Sequence, residues 1–285
     1  MRKTATLRKL GLGIIAFVCL VFVVIYSWSS IIINRTYHVP SRTIDVSDDS
    51  SAIRNGERLT RLALCGQCHG EHFTGKAFHK IDFKANIVGP NITGIISQYS
   101  DEEFERLIRH GVKKNGKAAW MFPASMYSHL KDESVADIIS YLRTIKSLKT
   151  PPDLPSSSTF YPLGRLGMII GKLKPDAATI NHQSPTSFMS GDSTQVGLGK
   201  YLVQTTCSGC HGQNLKGNAV LNAPDLIVAT LYKENEFKML LRTGEGRAGR
   251  RDLGLMSTVS KNHLKYFNDD EIDAMYVFLQ TLNTH

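Results

Sequence analysis

The chain has 285 residues, 42% of them hydrophobic and 21% charged, with 34 Lys and Arg against 25 Asp and Glu and a formal net charge of +9. Its basic residues are dispersed along the chain, which excludes a nucleic-acid partner and leaves either a solvated basic surface or one that steers an acidic partner. Four of its five cysteines fall in two C-x-x-C pairs, so no spare pair remains for a disulfide framework.

The first predicted element is a basic tail, residues 1–9, with Arg2, Lys3, Arg8 and Lys9. Residues 10–33 then carry no charge. A helix of that length rises about 36 Å, enough to cross a bilayer. The positive tail is expected in the cytoplasm and the rest of the chain outside, with Tyr26 and Trp28 near the outer interface. No small-x-small cleavage site precedes Ile31-Ile32-Ile33, so this is expected to be a retained single-pass membrane anchor. Cys19 lies within it, with no lipobox before it. Residues 34–50 read as a polar tether.

Residues 51–150 read as a first domain. Ile53, Leu59, Leu62 and Ala63 recur at helical spacing and stop at Cys65-Gly66-Gln67-Cys68-His69. Two thiols three residues apart can add to the two vinyl groups of one haem, and the adjacent His then lies under the ring as an iron ligand. That makes Cys65 and Cys68 thioether anchors and His69 a proximal ligand. Ser100 and Glu103 form a capping-box start for a helix carrying Phe104, Leu107 and Ile108. Asp132-Glu133 opens another, with Val135, Ile138, Ile139 and Leu142 as its buried stripe. Few alternating runs suggest strands.

Residues 151–192 read as a linker. It opens on a Pro/Ser-rich stretch and continues as an apolar run, Tyr161 to Leu173. That run is too short to span a membrane and is expected as a short helix packed between the domains, with the membrane surface or a partner subunit as alternatives.

The second domain, residues 193–285, repeats the plan. Cys207-Ser208-Gly209-Cys210-His211 supplies the second pair of anchors, Cys207 and Cys210, and the second proximal ligand, His211. The two motifs lie too far apart for a zinc ribbon, whose pairs sit roughly 15–20 residues apart, and neither has the βαβ setting of a redox dithiol. The last helix starts at Asp269, with Ile272, Met275, Tyr276 and Leu279 on one face; Met239 and Met275 are expected in the core. Beyond the motifs, Gly75 and Ala77 answer Gly217 and Ala219, Phe104-x-x-Leu107-x-Arg109-x-Gly111 answers Phe237-x-x-Leu240-x-Arg242-x-Gly244, Gly116 answers Gly249, and Tyr141-Leu142 answers Phe278-Leu279. A repeat of about a hundred residues is a whole small domain, and the chain holds two.

On these residues each half resembles a class I c-type cytochrome, and the whole resembles a membrane-anchored dihaem cytochrome c of bacterial respiratory chains. The resemblance implies an all-α fold: two tandem cytochrome c domains, each with a first helix leading into the motif, a middle helix and a last helix crossing the first, preceded by the transmembrane helix. It further implies that Gly56 meets Tyr141 and Gly199 meets Phe278, and that the carbonyls of Pro90 and Pro224 hold the proximal imidazoles by their free N–H.

Two covalently bound c-type haems are the expected cofactors. A methionine is the usual sixth ligand at high potential. Met256, on the loop between Gly249 and the last helix, is the expected distal ligand in the second half. In the first half Met121 is favoured over Met126 by its place in the loop, although the family's Met-Pro pair is interrupted by Phe122. His110 and His129, and His263 in the second half, are alternative ligands.

The resemblance implies an electron-transfer protein and not an enzyme. It would relay single electrons between a redox protein donor and acceptor at the outer face of a bacterial cytoplasmic (inner) membrane, either as a free-standing anchored shuttle or as the cytochrome subunit of a membrane dehydrogenase or oxidase, with no small-molecule substrate. The alternative is a dihaem peroxidase with one open or switchable haem.

Overall fold

The computed structural model describes residues 2–40, 42–183 and 194–283. Met1 of the tail, Ser41 of the tether, residues 184–192 of the linker, and residues 193, 284 and 285 of the second domain lie outside the described residues.

The apolar N-terminal stretch is one helix, α1 (Arg2–Ile33). The first half follows with α2 (Ser50–Leu62), α3 (Cys65–His69), β1 (Lys76–Ile81), β2 (Ala85–Gly89), α4 (Asp101–His110), α5 (Ala124–Tyr127) and α6 (Asp132–Thr144). The connecting region contributes β3 (Thr159–Phe160) and α7 (Pro162–Ile169), and the second half α8 (Gln195–Thr206), α9 (Ser208–His211), α10 (Glu234–Thr243), α11 (Leu255–Asn262) and α12 (Asp269–Gln280). The architecture is mainly helical, as expected.

Local chemistry sets the helix ends. Ser100 Oγ accepts from the Glu103 amide while the Glu103 carboxylate accepts from the Ser100 amide, which starts α4. Asn268 and Glu271 make the same box ahead of α12.

In each half the last helix crosses the first: α6 on α2, and α12 on α8. The crossing needs glycine. A Cβ on Gly56 would lie 1.8 Å from the Asp137 carbonyl oxygen and 2.9 Å from Tyr141 Cβ, and one on Gly199 would lie 1.9 Å from the Ala274 oxygen and 2.8 Å from Phe278 Cβ. The two glycine-aromatic pairs meet as the resemblance implied. Beneath them Val135, Ile138, Ile139 and Leu142 form one core and Ile272, Met275 and Leu279 the other. Each such side chain contributes about 1.5–3 kcal/mol by leaving water. Met239, expected in the core, instead faces solvent on α10, because the buried stripe of that helix is Phe237, Leu240 and Leu241.

Three features depart from expectation. First, β1, β2 and β3 form an antiparallel sheet in that order. The first half has a longer path from Gly75 to Pro90 than the second has from Gly217 to Pro224, where an isolated bridge between Asn218 and Ala223 suffices. The extra length closes on itself as a hairpin. Strand β2 is covered on both faces, so its Ala85, Ile87, Val88 and Gly89 are all buried and no alternation marks it.

Second, residues 34–50 are no loose tether. Tyr37 donates its amide to Gly116, Val39 is buried with Val112, Ala118 and Ala177, and Ile44 joins the core beneath α4 and α6. The segment straps the first half. Its Arg42 pairs with Asp132, which also takes Arg109; Arg109 in turn holds Glu105, and the Arg109 and Glu105 side chains are only 2% and 0% exposed.

Third, α7 does not sit between the two halves. It packs on the outer end of α1 and on the sheet: Ile32 and Ile33 join Ala85, Ile87, Phe160 and Met168 in a small core. Past α7 the chain is clasped to the first half. Asp176 accepts from the Ser125 amide and hydroxyl, and the His182 ring meets His110 with Nδ1 to Nδ1 at 3.0 Å. His182 Nε2–H donates to Ala177 O, so its Nδ1 accepts the His110 proton.

Candidate functional site

In the first half α2 ends at Leu62, and Leu64, at φ 58°, turns the chain into the one-turn α3 that carries Cys65, Cys68 and His69. In the second, α8 leads through Cys207 into α9, which carries Cys210 and His211. Beyond each histidine the backbone follows one path. Gly70 and Gly212 have φ of 79° and 80°, Phe73 and Leu215 of 58° and 62°, and the amides of Gly75 and Gly217 each donate to the histidine carbonyl at 2.8 Å.

That path delivers a proline carbonyl to each ring. His69 Nδ1 donates to Pro90 O at 2.8 Å and His211 Nδ1 to Pro224 O at 2.7 Å. A carbonyl only accepts, so Nδ1 holds the proton and Nε2 keeps its lone pair for a metal. Burial pushes the His69 pKa below its ordinary value, against the pull of the Pro90 bond, which favours the neutral, ligating form.

Burial also pushes the thiols of Cys65 and Cys207 up to about 12 and raises those of Cys68 and Cys210. Neutral thiols of this kind are unlike the low-pKa thiolate of a redox dithiol. Among the described residues no group of three His, Cys, Asp or Glu could hold a bare metal ion. Two neutral thiols at three-residue spacing beside an imidazole with one nitrogen held and the other free do fit a covalently attached haem. The sequence missed Gly89 in this setting. A Cβ there would meet the Cys68 carbonyl oxygen at 1.9 Å, so β2 can lie against α3 only because this residue is glycine.

The distal candidates fall in different surroundings. Met256 lies in the first turn of α11, not in a loop, and packs at the margin of the second core. Met121 follows Trp120 with φ 63° and keeps 39% of its surface exposed. Met126 is buried, with its sulfur on Gly209, where a Cβ would lie only 2.1 Å away. His110 is engaged with His182, His129 is half-buried, and His263 sits on the first half.

The last two contacts form a seam between the halves. His263 Nδ1 donates to Arg61 O at 2.9 Å, so its Nε2 accepts from Gln67 Nε2 at 2.5 Å. Gln67 and Gly209 are the same position of the two motifs, and Met126 and His263 each lie four residues before the aligned core residues Leu130 and Phe267. The contacts Gln67–His263 and Gly209–Met126 are therefore one contact made twice with the halves exchanged. Arg58 to Glu271 at 2.7 Å and Tyr201 to Ser134 at 3.1 Å form a second such pair. Each motif lies against the other half, across a pseudo-two-fold seam.

A family model described as Cytochrome c matches residues 53–146 and again 196–283. The chain is 26% identical over 278 residues to the fructose dehydrogenase cytochrome subunit of Gluconobacter japonicus, covering 85% of this chain and 55% of that protein. It is 25% identical over 276 residues to the alcohol dehydrogenase (quinone), cytochrome c subunit of Komagataeibacter europaeus (82% and 56% covered). To the gluconate 2-dehydrogenase cytochrome c subunit of Pantoea cypripedii it is 24% identical over 281 residues (84% and 61% covered). The chain spans about half the length of the curated relatives it matches.

Proposed function

We propose, from the premise that the chain belongs to the cytochrome c family, that it is a membrane-anchored dihaem electron relay serving as the cytochrome subunit of a membrane dehydrogenase. The observation that carries this reading is the site made twice: two thiols, a histidine and a proline carbonyl in one geometry on each side of a shared seam. Cys65 and Cys68, and Cys207 and Cys210, would be the thioether anchors, and His69 and His211 the proximal ligands. A haem c in each half supplies one-electron redox chemistry when bound.

The chain's own residues hold and tune those groups. Pro90 and Pro224 fix the proximal rings, and Met256 in the second half and Met121 in the first would be the sixth ligands of the iron. What supports Met121 over Met126 is room: the Met126 sulfur is spent on Gly209, whereas Met121 retains exposed surface. Both motifs touch the seam, where a haem held in each half would supply one-electron exchange between the halves. Oxidation of the organic substrate belongs to a partner subunit, and this chain carries electrons between that partner and an acceptor. The dehydrogenase names of the relatives support this assignment.

The helix α1 anchors the chain in the inner membrane, with Arg8 and Lys9 inside and both haem domains outside; an 18-residue window within residues 8–33 has a mean hydropathy of 2.7. Domains run over residues 51–150 and 193–285, with residues 34–50 and 151–192 connecting them to the anchor and to each other.

Optical spectroscopy of the holoprotein tests the proposal. A pyridine haemochrome assay is expected to count two haems per chain, and oxidised spectra to show low-spin iron with the weak near-infrared band of Met ligation. Replacing Met256 should remove about half of that band, and Met121→Ala, but not Met126→Ala, the rest. A high-spin component that reacts with peroxide would overturn the relay in favour of a peroxidase.

A further inference from the structure

The short helix α7 has one face committed and one face bare. Gly164 and Met168 are buried, and Gly164 lies so close to the β1–β2 turn that a Cβ would meet the Lys84 carbonyl oxygen at 2.3 Å. Arg165 fastens the helix to α1: its guanidinium donates to Ser29 Oγ at 2.9 Å and Ser30 Oγ at 3.3 Å, and lies 4.4 Å from the centre of the Tyr26 ring. On the other side Leu163, Leu166 and Ile170, spaced to form one stripe, are all exposed. Beside Leu163 the hairpin tip holds out Phe83, 78% exposed, and the two share the lining of an open cavity of about 480 Å³ with Lys80, Asp82, Tyr161 and Pro162.

The level of this apolar surface is fixed by its attachment to α1. A hydrocarbon layer of about 30 Å takes up roughly 20 helical residues. Counted from Leu10, the first residue after Lys9, it ends close to Ser29 and Ser30, the residues that hold Arg165. The exposed stripe of α7 thus stands where hydrocarbon gives way to headgroups. Around it Lys80, Lys84, Lys172 and Lys174 are exposed, against Asp82. An apolar stripe rimmed by lysines suits an anionic phospholipid surface.

We infer that α7 and Phe83 form a second membrane contact: they seat in the outer leaflet, with Leu163, Leu166, Ile170 and Phe83 below the headgroups and the lysines among the phosphates. This holds the first half in a fixed orientation on the bilayer. The inference rests on α1 being a membrane span.

The test uses the full-length holoprotein in vesicles of phosphatidylethanolamine and phosphatidylglycerol, with two probes mapped by mass spectrometry. One is a bilayer-partitioned aryl diazirine; the other is water-borne hydroxyl radical. The expected result is diazirine labelling of residues 162–170 and of Phe83 together with α1, with little oxidation of either. In Leu166→Glu/Ile170→Glu, labelling of α7 should fall by roughly tenfold while α1 stays labelled. Labelling of α1 with oxidation of α7 would place α7 in water, and protection of α7 from both probes would mean that protein covers it; each overturns the inference. No labelling of α1 would overturn the anchor and this inference together.

Discussion

In the first half the arginine of the middle helix, Arg109, is 2% exposed and bound to Glu105 and Asp132; in the second its counterpart Arg242 is 30% exposed and bound to Asp269 and to the carbonyls of Lys265 and Phe267. Where the first half has Glu105, the second has Lys238, itself paired with Asp269. The strap of residues 34–50 lies over the first arginine, and nothing described covers the second in that way. The first half also has its hairpin, its clasp of residues 175–182, and His110 where the second has Thr243. Against these differences, the histidine-to-proline hydrogen bonds, 2.8 and 2.7 Å, and the closest approaches at the two glycine crossings, 1.8 and 1.9 Å from an added Cβ, match between the halves. The geometry that holds each proximal histidine ring recurs in both halves, while the covering around it differs; in the first half the sheet packs on Ile32 and Ile33 of α1.

The sharpest way to break this comparison is to remove one site at a time. Cys65→Ala/Cys68→Ala and Cys207→Ala/Cys210→Ala are each expected to lose half of the covalent haem, read by pyridine haemochrome, and to leave the other half's spectrum in place. Next come the crossings. Gly56→Val and Gly199→Val would each drive a side chain into a helix carbonyl and should cost more than about 4 kcal/mol in chemical denaturation. Tolerance of one but not the other would show that the crossings are not equivalent.

The arginines should then separate the halves. Arg109→Ala leaves the Glu105 carboxylate buried and should cost about 3–5 kcal/mol. Arg242→Ala, at the exposed pair, should cost about 1 kcal/mol in the same denaturation assay.

Acid should separate them too. Burial, then the neighbouring His182, Arg109 and Arg42, bring the His110 pKa from 6.5 down to about 4. A histidine kept neutral by the fold contributes stability that is present above 6.5 and lost as pH falls toward 4. Glu105, whose carboxyl is raised by burial, acts in the opposite sense. The expected readout is thus a difference: His110→Thr, which installs the second half's residue, should flatten the decline of unfolding free energy between pH 7 and 5. An unchanged slope would remove His110 as its cause. The smallest effects sharpen the likeness instead. Ser100→Ala and Asn268→Ala each remove a capping-box acceptor and should cost about 1 kcal/mol alike.

How much of this was legible in the sequence follows from the range of each interaction. The motifs, the capping box at Ser100 and the apolar stripes of α6 and α12 act within a few residues and could be read directly. The crossing glycines and prolines were reachable through the repeat and the family it resembles. The hairpin was hidden because β2 is buried on both faces. The strap was hidden because Val39 and Ile44, isolated among polar residues, gain their meaning from residues such as Val112 and Ile138 far along the chain. Gln67 read as a mere spacer between cysteines, and only the seam reveals it as a partner of His263. Met256 read as a loop residue because Gly254, just ahead of it, masked the start of α11.

The seam has a further consequence. Contacts that map onto themselves when the halves are exchanged are those of an isologous dimer, in which any substitution changes both crossings at once. In a fused chain the two copies have separate codons. Position 67 can keep an amide while position 209 gives up its side chain to make way for a methionine sulfur, so the two crossings can diverge independently while the symmetric frame around them is retained.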